Sequence, residues 1–125
     1  MSVKVVDNAT WEPTERWTVT DATELYDVAR WGQGYFSAGA NGNIWVHPTK
    51  EATRSIDLKQ LVDTLVLRGI SLPVLIRFGE MLQHRLGELH AAFTNAIRDH
   101  NYQGKYSLVY PIKVNQQRQV IEEVV

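Results

Sequence analysis

The sequence predicts an α/β fold with a parallel sheet, preceded by a β-hairpin. Two short, nearly unbroken apolar runs, residues 72–78 and 108–114, have the composition of strands that are covered on both faces. Helical patterns precede, separate and follow these runs, and the order helix, strand, helix, strand, helix is typical of parallel α/β folds. Two parallel strands cannot cover these helices or close a barrel, so we expect the 125 residues to be the front part of a larger fold.

Composition and charge are those of an ordinary soluble globular chain, with 44% hydrophobic residues, 22% charged residues and a formal net charge of −1. The near balance of 13 Lys and Arg against 14 Asp and Glu argues against a nucleic-acid or anionic-membrane partner. The absence of Cys excludes disulfides, thiolate metal sites and cysteine nucleophiles. No apolar run is long enough to span a bilayer and the first residues lack a secretory signal, so we expect a cytoplasmic protein.

Residues 1–20 are polar and irregular, and we expect them to form an N-terminal segment of their own. A short helix is predicted at residues 22–31. Asp21 or Thr20 is its expected N-cap, and Gly32 is its expected stop.

A β-hairpin is predicted next, because two aromatic-rich apolar runs, residues 35–37 and 44–46, flank a loop of turn-forming residues at 38–43. Pro48 ends the second strand, since proline donates no ladder hydrogen bond. Residues 21–50 are therefore expected to form one unit, a short helix followed by a hairpin.

Residues 51–125 carry the helix and strand pattern of the predicted parallel sheet. Asp57 is expected to cap a helix that ends at Gly69 and has an apolar face of Leu58, Leu61, Val62 and Leu65. Residues 79–101 form the clearest amphipathic helix, with apolar positions Leu82, Leu86, Leu89, Phe93 and Ile97. Asn115 is expected to cap a final helix.

Lys113 is the candidate catalytic residue. It lies inside the predicted strand 108–114, where alternation places Val109, Pro111, Lys113 and Asn115 on one face. An unpaired ammonium is costly to bury, and desolvation favours the neutral amine, which is the nucleophile for imine formation. The alternative is a lysine at the end of the strand whose charge reaches water, and spacing alone favours this alternative.

A second group of titratable residues shares one face of the predicted helix 79–101, namely Glu80, His84 and Glu88. Such a group could hold a metal or perform acid–base chemistry. The pattern favours a solvent-exposed helix face with ordinary side-chain pairs. The glycines fit neither a dinucleotide-binding motif nor a P-loop.

Residues 110–125, with the sequence YPIKVNQQRQVIEEVV, closely resemble the cofactor-lysine segment of biosynthetic arginine decarboxylases. These are pyridoxal-phosphate (PLP) enzymes of the alanine racemase type. The resemblance extends over about residues 17–125 and includes Trp31-Gly32, Tyr35-Phe36, residues 72–78 and residues 83–86. The core at 112–115 is shared more widely among such decarboxylases, whereas Asn115-Gln116-Gln117 and the long preceding region point to the arginine branch.

The resemblance implies that Lys113 forms the Schiff base with PLP, as both the catalytic and the cofactor-binding residue. It implies decarboxylation of L-arginine to agmatine and CO2 in the biosynthesis of the polyamines putrescine and spermidine. It also implies that residues 51–125 begin the PLP-binding (β/α)8 barrel, and that the hairpin within 21–50 joins a separate β-domain. Mg2+ as a second cofactor and a homo-oligomeric full-length protein are further implications.

In this family the groups that hold the PLP phosphate and the pyridine nitrogen lie beyond Val125. We therefore expect the 125 residues alone to be inactive. One alternative is a related decarboxylase of ornithine, diaminopimelate or carboxynorspermidine. The other is a non-catalytic binding module that retains the front of the fold.

Overall fold

A computed structural model of the chain describes residues 16–124. Its elements, in chain order, are α1 (Val19–Leu25), α2 (Val28–Gly32), β1 (Phe36–Ala38), β2 (Ile44–Val46), β3 (Ile56–Asp57), α3 (Leu58–Leu67), α4 (Gly79–Asp99), a 3-10 turn (Ile112–Val114) and α5 (Arg118–Val124). The predicted combination of helices and strands is therefore confirmed, but the sheet within the described residues is antiparallel and not the predicted parallel sheet. Most of the predicted polar segment 1–20 lies outside the described residues, as does Val125.

The predicted helix at 22–31 is wrong in its start and in its continuity. Thr18 is the N-cap of α1: its hydroxyl accepts a hydrogen bond from the Asp21 backbone N–H at 3.2 Å, and the Asp21 carboxylate accepts one from the Thr18 N–H at 2.7 Å. This reciprocal capping box makes Asp21 the third helical residue and not the cap. Asp27, with φ at +50°, then separates α1 from α2. Gly32 is the last residue of α2, and Gln33 with φ at +50° ends the helix in place of the predicted glycine.

The predicted β-hairpin is confirmed, and a third strand extends it. β1 and β2 pair antiparallel, with Phe36 opposite Val46 and Ser37 opposite Trp45. β3 pairs antiparallel with β2, which gives the sheet order β1-β2-β3. Val46 is fully buried, and the ring of Trp31 lies 5.4 Å from the ring of Phe36. The apolar core of the described residues therefore lies between α2 and this sheet.

Helix α3 is confirmed together with its predicted ends. The Asp57 carboxylate accepts a hydrogen bond from the backbone N–H of Gln60 at 3.2 Å, which caps the helix. The side-chain amides of Asn43 and Asn41 also donate to Asp57, and these hydrogen bonds, with Asn43 contributing most, lower the pKa of Asp57. Gly69 follows the helix with φ at +83°, the left-handed conformation that ends many helices.

The predicted strands at 72–78 and 108–114 are both wrong. Residues 72–78 are irregular, and the second run contains the 3-10 turn Ile112–Val114. A strand forms only where its backbone groups pair with a neighbouring strand, and no segment within residues 16–124 pairs with either run. Leu75 is 75% exposed and Val109 is 80% exposed, so these apolar runs are uncovered.

Helix α4 confirms the predicted amphipathic helix, although it ends at Asp99. The ring of Tyr106 stacks on Phe93 with centroids 4.2 Å apart. Helix α5 packs against α4. The prediction that Asn115 caps this helix is wrong, because α5 begins at Arg118; the Asn115 side chain instead accepts a hydrogen bond from the Gln117 backbone N–H at 3.2 Å, in the turn before the helix. Among the described helices, none combines the length and the apolar character that a membrane crossing requires.

Candidate active site

Lys113 lies in the 3-10 turn that joins the α4 connection to α5. The turn is closed by a hydrogen bond from the Val114 backbone N–H to the Pro111 carbonyl oxygen at 2.9 Å. Strand alternation therefore does not apply here. Lys113 is exposed to solvent, which agrees with the alternative that spacing favoured, although it lies in a turn and not at the end of a strand. Its amine is accessible, and no carboxylate among residues 16–124 forms an ion pair with it.

The second predicted group is the face of α4 that carries Glu80, His84 and Glu88. These side chains also contact residues outside the helix. Arg54 donates to the Glu80 carboxylate at 2.7 Å. The Tyr35 hydroxyl lies 2.8 Å from Nδ1 of His84, and the Lys50 ammonium lies 2.6 Å from Oε1 of Glu88. The prediction of an exposed face with ordinary side-chain pairs is therefore confirmed for Glu80, which is exposed, and for the Arg85–Glu88 pair, but it missed the contacts of His84 and Glu88 with residues outside α4. We name the set Tyr35, Lys50, His84 and Glu88 the α4 latch.

Lys50 contacts both Tyr35 and Glu88 within the α4 latch. Its φ of +61° lies in the left-handed region, which costs a non-glycine residue about 1 kcal/mol or more. Its ammonium lies 4.7 Å from the centroid of the Tyr35 ring, where the negative face of the ring attracts a cation. Together with the Glu88 contact, this geometry makes Lys50 a bridge between the end of the hairpin and α4.

Glu88 accepts hydrogen bonds from Lys50, from Arg85 at 2.9 Å and from Tyr35 at 3.3 Å. The hydrogen bonds from Lys50 and Arg85 lower the pKa of Glu88 to about 2. Burial, followed by the charge of Glu88, raises the pKa of Tyr35. Near neutral pH the latch therefore contains an ionised Glu88 and a protonated Tyr35.

The α4 latch does not have the arrangement of a metal centre. No three His, Asp or Glu side chains within residues 16–124 are grouped so that they could hold an ion. Sequence reasoning missed the latch because its hydrogen bonds join residues 38 to 53 positions apart. The sequence did contain one signal for these side chains, namely the four-residue spacing of Glu80, His84 and Glu88 along α4.

A serine–histidine pair lies on the face of the hairpin that also carries Trp45, and Oγ of Ser37 and Nε2 of His47 are 2.8 Å apart. Nδ1 of His47 is buried, and no hydrogen-bond partner for it is found in the described part of the chain. A nucleophilic serine requires a base that a third group orients. The pair therefore joins the two strands without the arrangement of a catalytic triad.

The chain is similar in sequence to several curated proteins that share one name. No protein-family model matches the chain. The chain is 51% identical over 110 residues to a biosynthetic arginine decarboxylase of Rhodopirellula baltica, a match that covers 88% of this chain and 16% of that protein. It is 46% identical over 110 residues to one of Geotalea uraniireducens, covering 88% of this chain and 17% of the relative. It is 47% identical over 109 residues to one of Prochlorococcus marinus strain MIT 9303, covering 87% of this chain and 17% of the relative.

The chain thus spans about one sixth of the length of the curated relatives it matches. The matches cover nearly nine tenths of the chain. The resemblance is therefore confirmed, and the chain is homologous to a segment of the biosynthetic arginine decarboxylases.

Proposed function

We propose that this chain is the N-terminal part of a PLP-dependent arginine decarboxylase that converts L-arginine to agmatine and CO2 in polyamine biosynthesis. The identity of 44–51% to proteins named biosynthetic arginine decarboxylase carries the proposal. The segment around Lys113, with its resemblance to the cofactor-lysine segment of that family, supports the cofactor part of it.

Lys113 is the residue to which PLP attaches in this proposal. PLP, when bound, supplies an electron sink for the negative charge that the departing CO2 leaves at Cα. Lys113 supplies the primary amine, and its exposure leaves Nζ open to covalent attachment. The described residues fit that one requirement. The proposal assigns none of them to the PLP phosphate or to Mg2+.

The two apolar runs, residues 72–78 and 108–114, are proposed to become parallel strands of a (β/α)8 barrel in a longer protein. They alternate with α3, α4 and α5 in the order that such a barrel requires. Their exposed side chains supply the apolar surface that neighbouring strands and helices would bury. Residues 21–50 would then contribute to a separate β-domain and residues 51–125 to the barrel, which leaves the 125-residue chain by itself without a complete site.

The proposal is tested by measuring CO2 release from L-arginine, L-ornithine and diaminopimelate by a longer protein that carries this segment. We expect L-arginine to give the highest kcat/KM. Lys113→Ala should abolish turnover, whereas Lys105→Ala, which removes another exposed lysine of the same connection, should leave it unchanged.

A preference for ornithine or diaminopimelate would contradict L-arginine as the substrate and leave the proposed cofactor chemistry unchanged. Normal turnover by the Lys113→Ala variant would contradict the role of Lys113. Turnover by the 125-residue chain at the rate of the longer protein would contradict the incomplete barrel. Absence of decarboxylation of any of these substrates by the longer protein would favour a binding module.

A further inference from the structure

We infer that the α4 latch fixes the position of the hairpin unit, residues 21–50, against α4. Lys50 is the residue that positions the hairpin unit on the helix. Interpreting this contact as one between a β-domain and a barrel rests on the proposed function. The contact itself stands on the geometry of the four side chains.

The α4 latch provides the hydrogen bonds that connect the hairpin unit to α4 within residues 16–124. Tyr35 and Lys50, at the two ends of the hairpin, contact His84 and Glu88, which lie one turn apart on α4. The backbone N–H of His47 donates to the Tyr35 carbonyl oxygen at 2.8 Å, so the two ends of the hairpin are also joined to each other. The latch therefore holds both ends of the hairpin against one face of a single helix.

The Lys50–Glu88 pair differs from an ordinary surface ion pair. Its side chains are 29% and 36% exposed, whereas those of the Lys59–Asp63 pair within α3 are 64% and 55% exposed. Exposed pairs within one helix contribute little, because water and salt screen them and holding two long side chains costs entropy. In the latch the Tyr35 ring lies 4.7 Å from the Lys50 ammonium and attracts it to the same side as Glu88, so the two contacts share the cost of ordering one side chain.

The aliphatic part of Lys50 is also packed. A Cβ atom added at Gly34, which itself has φ at +80°, would lie 3.4 Å from Cγ and Cδ of Lys50. The lysine stem therefore lies beside the backbone of Gly34, at a distance where an added Cβ would make an ordinary van der Waals contact. Loss of the Lys50 charge should therefore release the hairpin unit from α4, while β1 and β2 stay paired.

The test is hydrogen–deuterium exchange of the 125-residue chain, with circular dichroism as a check that each variant keeps its secondary structure. Lys50→Met should speed exchange about 3- to 5-fold in peptides covering residues 33–54, since local opening replaces the closed contact. Lys50→Arg, which keeps the charge and the donors, should restore most of the protection. Lys59→Met is the matched control, and we expect it to leave these peptides unchanged.

Coupling between the two sides of the latch is tested by Glu88→Gln alone and combined with Lys50→Met. The double variant should exchange more slowly than the sum of the two single effects predicts, because both changes break the Lys50–Glu88 contact. Full addition of the two single effects, or equal behaviour of Lys50→Met and Lys59→Met, would overturn the inference. The exchange is measured without cofactor or substrate, so its failure is distinct from a failure of Lys113 in the activity assay.

Discussion

Replacing Val46 by Ala should distinguish the packed part of the chain from its uncovered part. Val46 lies in β2 with none of its surface exposed. The substitution removes two carbon groups, each of which contributes about 0.8 kcal/mol when buried. The cavity left behind adds to this transfer term, so we expect a loss of about 2–3 kcal/mol in the free energy of unfolding.

Val109→Ala is the matched control, because it makes the same chemical change at a position that is 80% exposed. Removing carbon groups that already contact water should change the free energy of unfolding by less than about 0.5 kcal/mol. Urea denaturation followed by tryptophan fluorescence measures both effects as shifts of the midpoint at constant m-value. Equal losses for the two variants would refute the placement of the core between α2 and the sheet.

The same pair of substitutions also tests the proposed barrel when it is made in a longer protein that carries this segment. If residues 108–114 become a strand with both faces covered, Val109→Ala should cost roughly 1–3 kcal/mol there, since the side chain is then buried. Val46→Ala should cost the same in both contexts. A Val109→Ala variant that is neutral in the longer protein would contradict the barrel proposal and leave the core assignment standing.

Protonation and glycine replacement give two further predictions. The pKa of Glu88 is lowered from its ordinary 4.5 to about 2, so its contribution is fully present above pH 4.5 and is lost as the pH falls toward 2. Thermal unfolding of the wild type and of Glu88→Gln between pH 6 and pH 2 should therefore converge at the acid end, and a constant difference would contradict the ion pair. Gly69→Ala should cost about 1 kcal/mol, because φ there is +83°, whereas Gly87→Ala in the interior of α4 should stabilise the chain by about 0.5–1 kcal/mol. Chemical denaturation measures both, and destabilisation by Gly87→Ala would show that its Cβ is not accommodated.

The elements that sequence analysis predicted correctly are those with strong local signals. The hairpin follows from turn formers between two aromatic runs, and β1 and β2 pair as expected. Helix α3 begins at the Asp57 cap and ends before Gly69, because capping and left-handed glycines act over only a few residues. Helix α4 follows from its apolar period.

The elements that were predicted wrongly depend on residues far away in the sequence, or on two residues that cap each other. Residues 72–78 and 108–114 have strand composition, yet a strand also needs a neighbour, and the described residues supply none. The start of α1 was misplaced because Thr18 and Asp21 cap each other. The α4 latch joins residues 38 to 53 positions apart, which no local spacing reveals.

The assignment of Lys113 is decided by chemical trapping of the cofactor. Borohydride reduction of the PLP-loaded longer protein, followed by peptide mass spectrometry, locates the lysine that carries the pyridoxyl group. The proposal predicts that group on Lys113, with Lys105 unmodified. A pyridoxyl group on another lysine, with Lys113 unmodified, would contradict it.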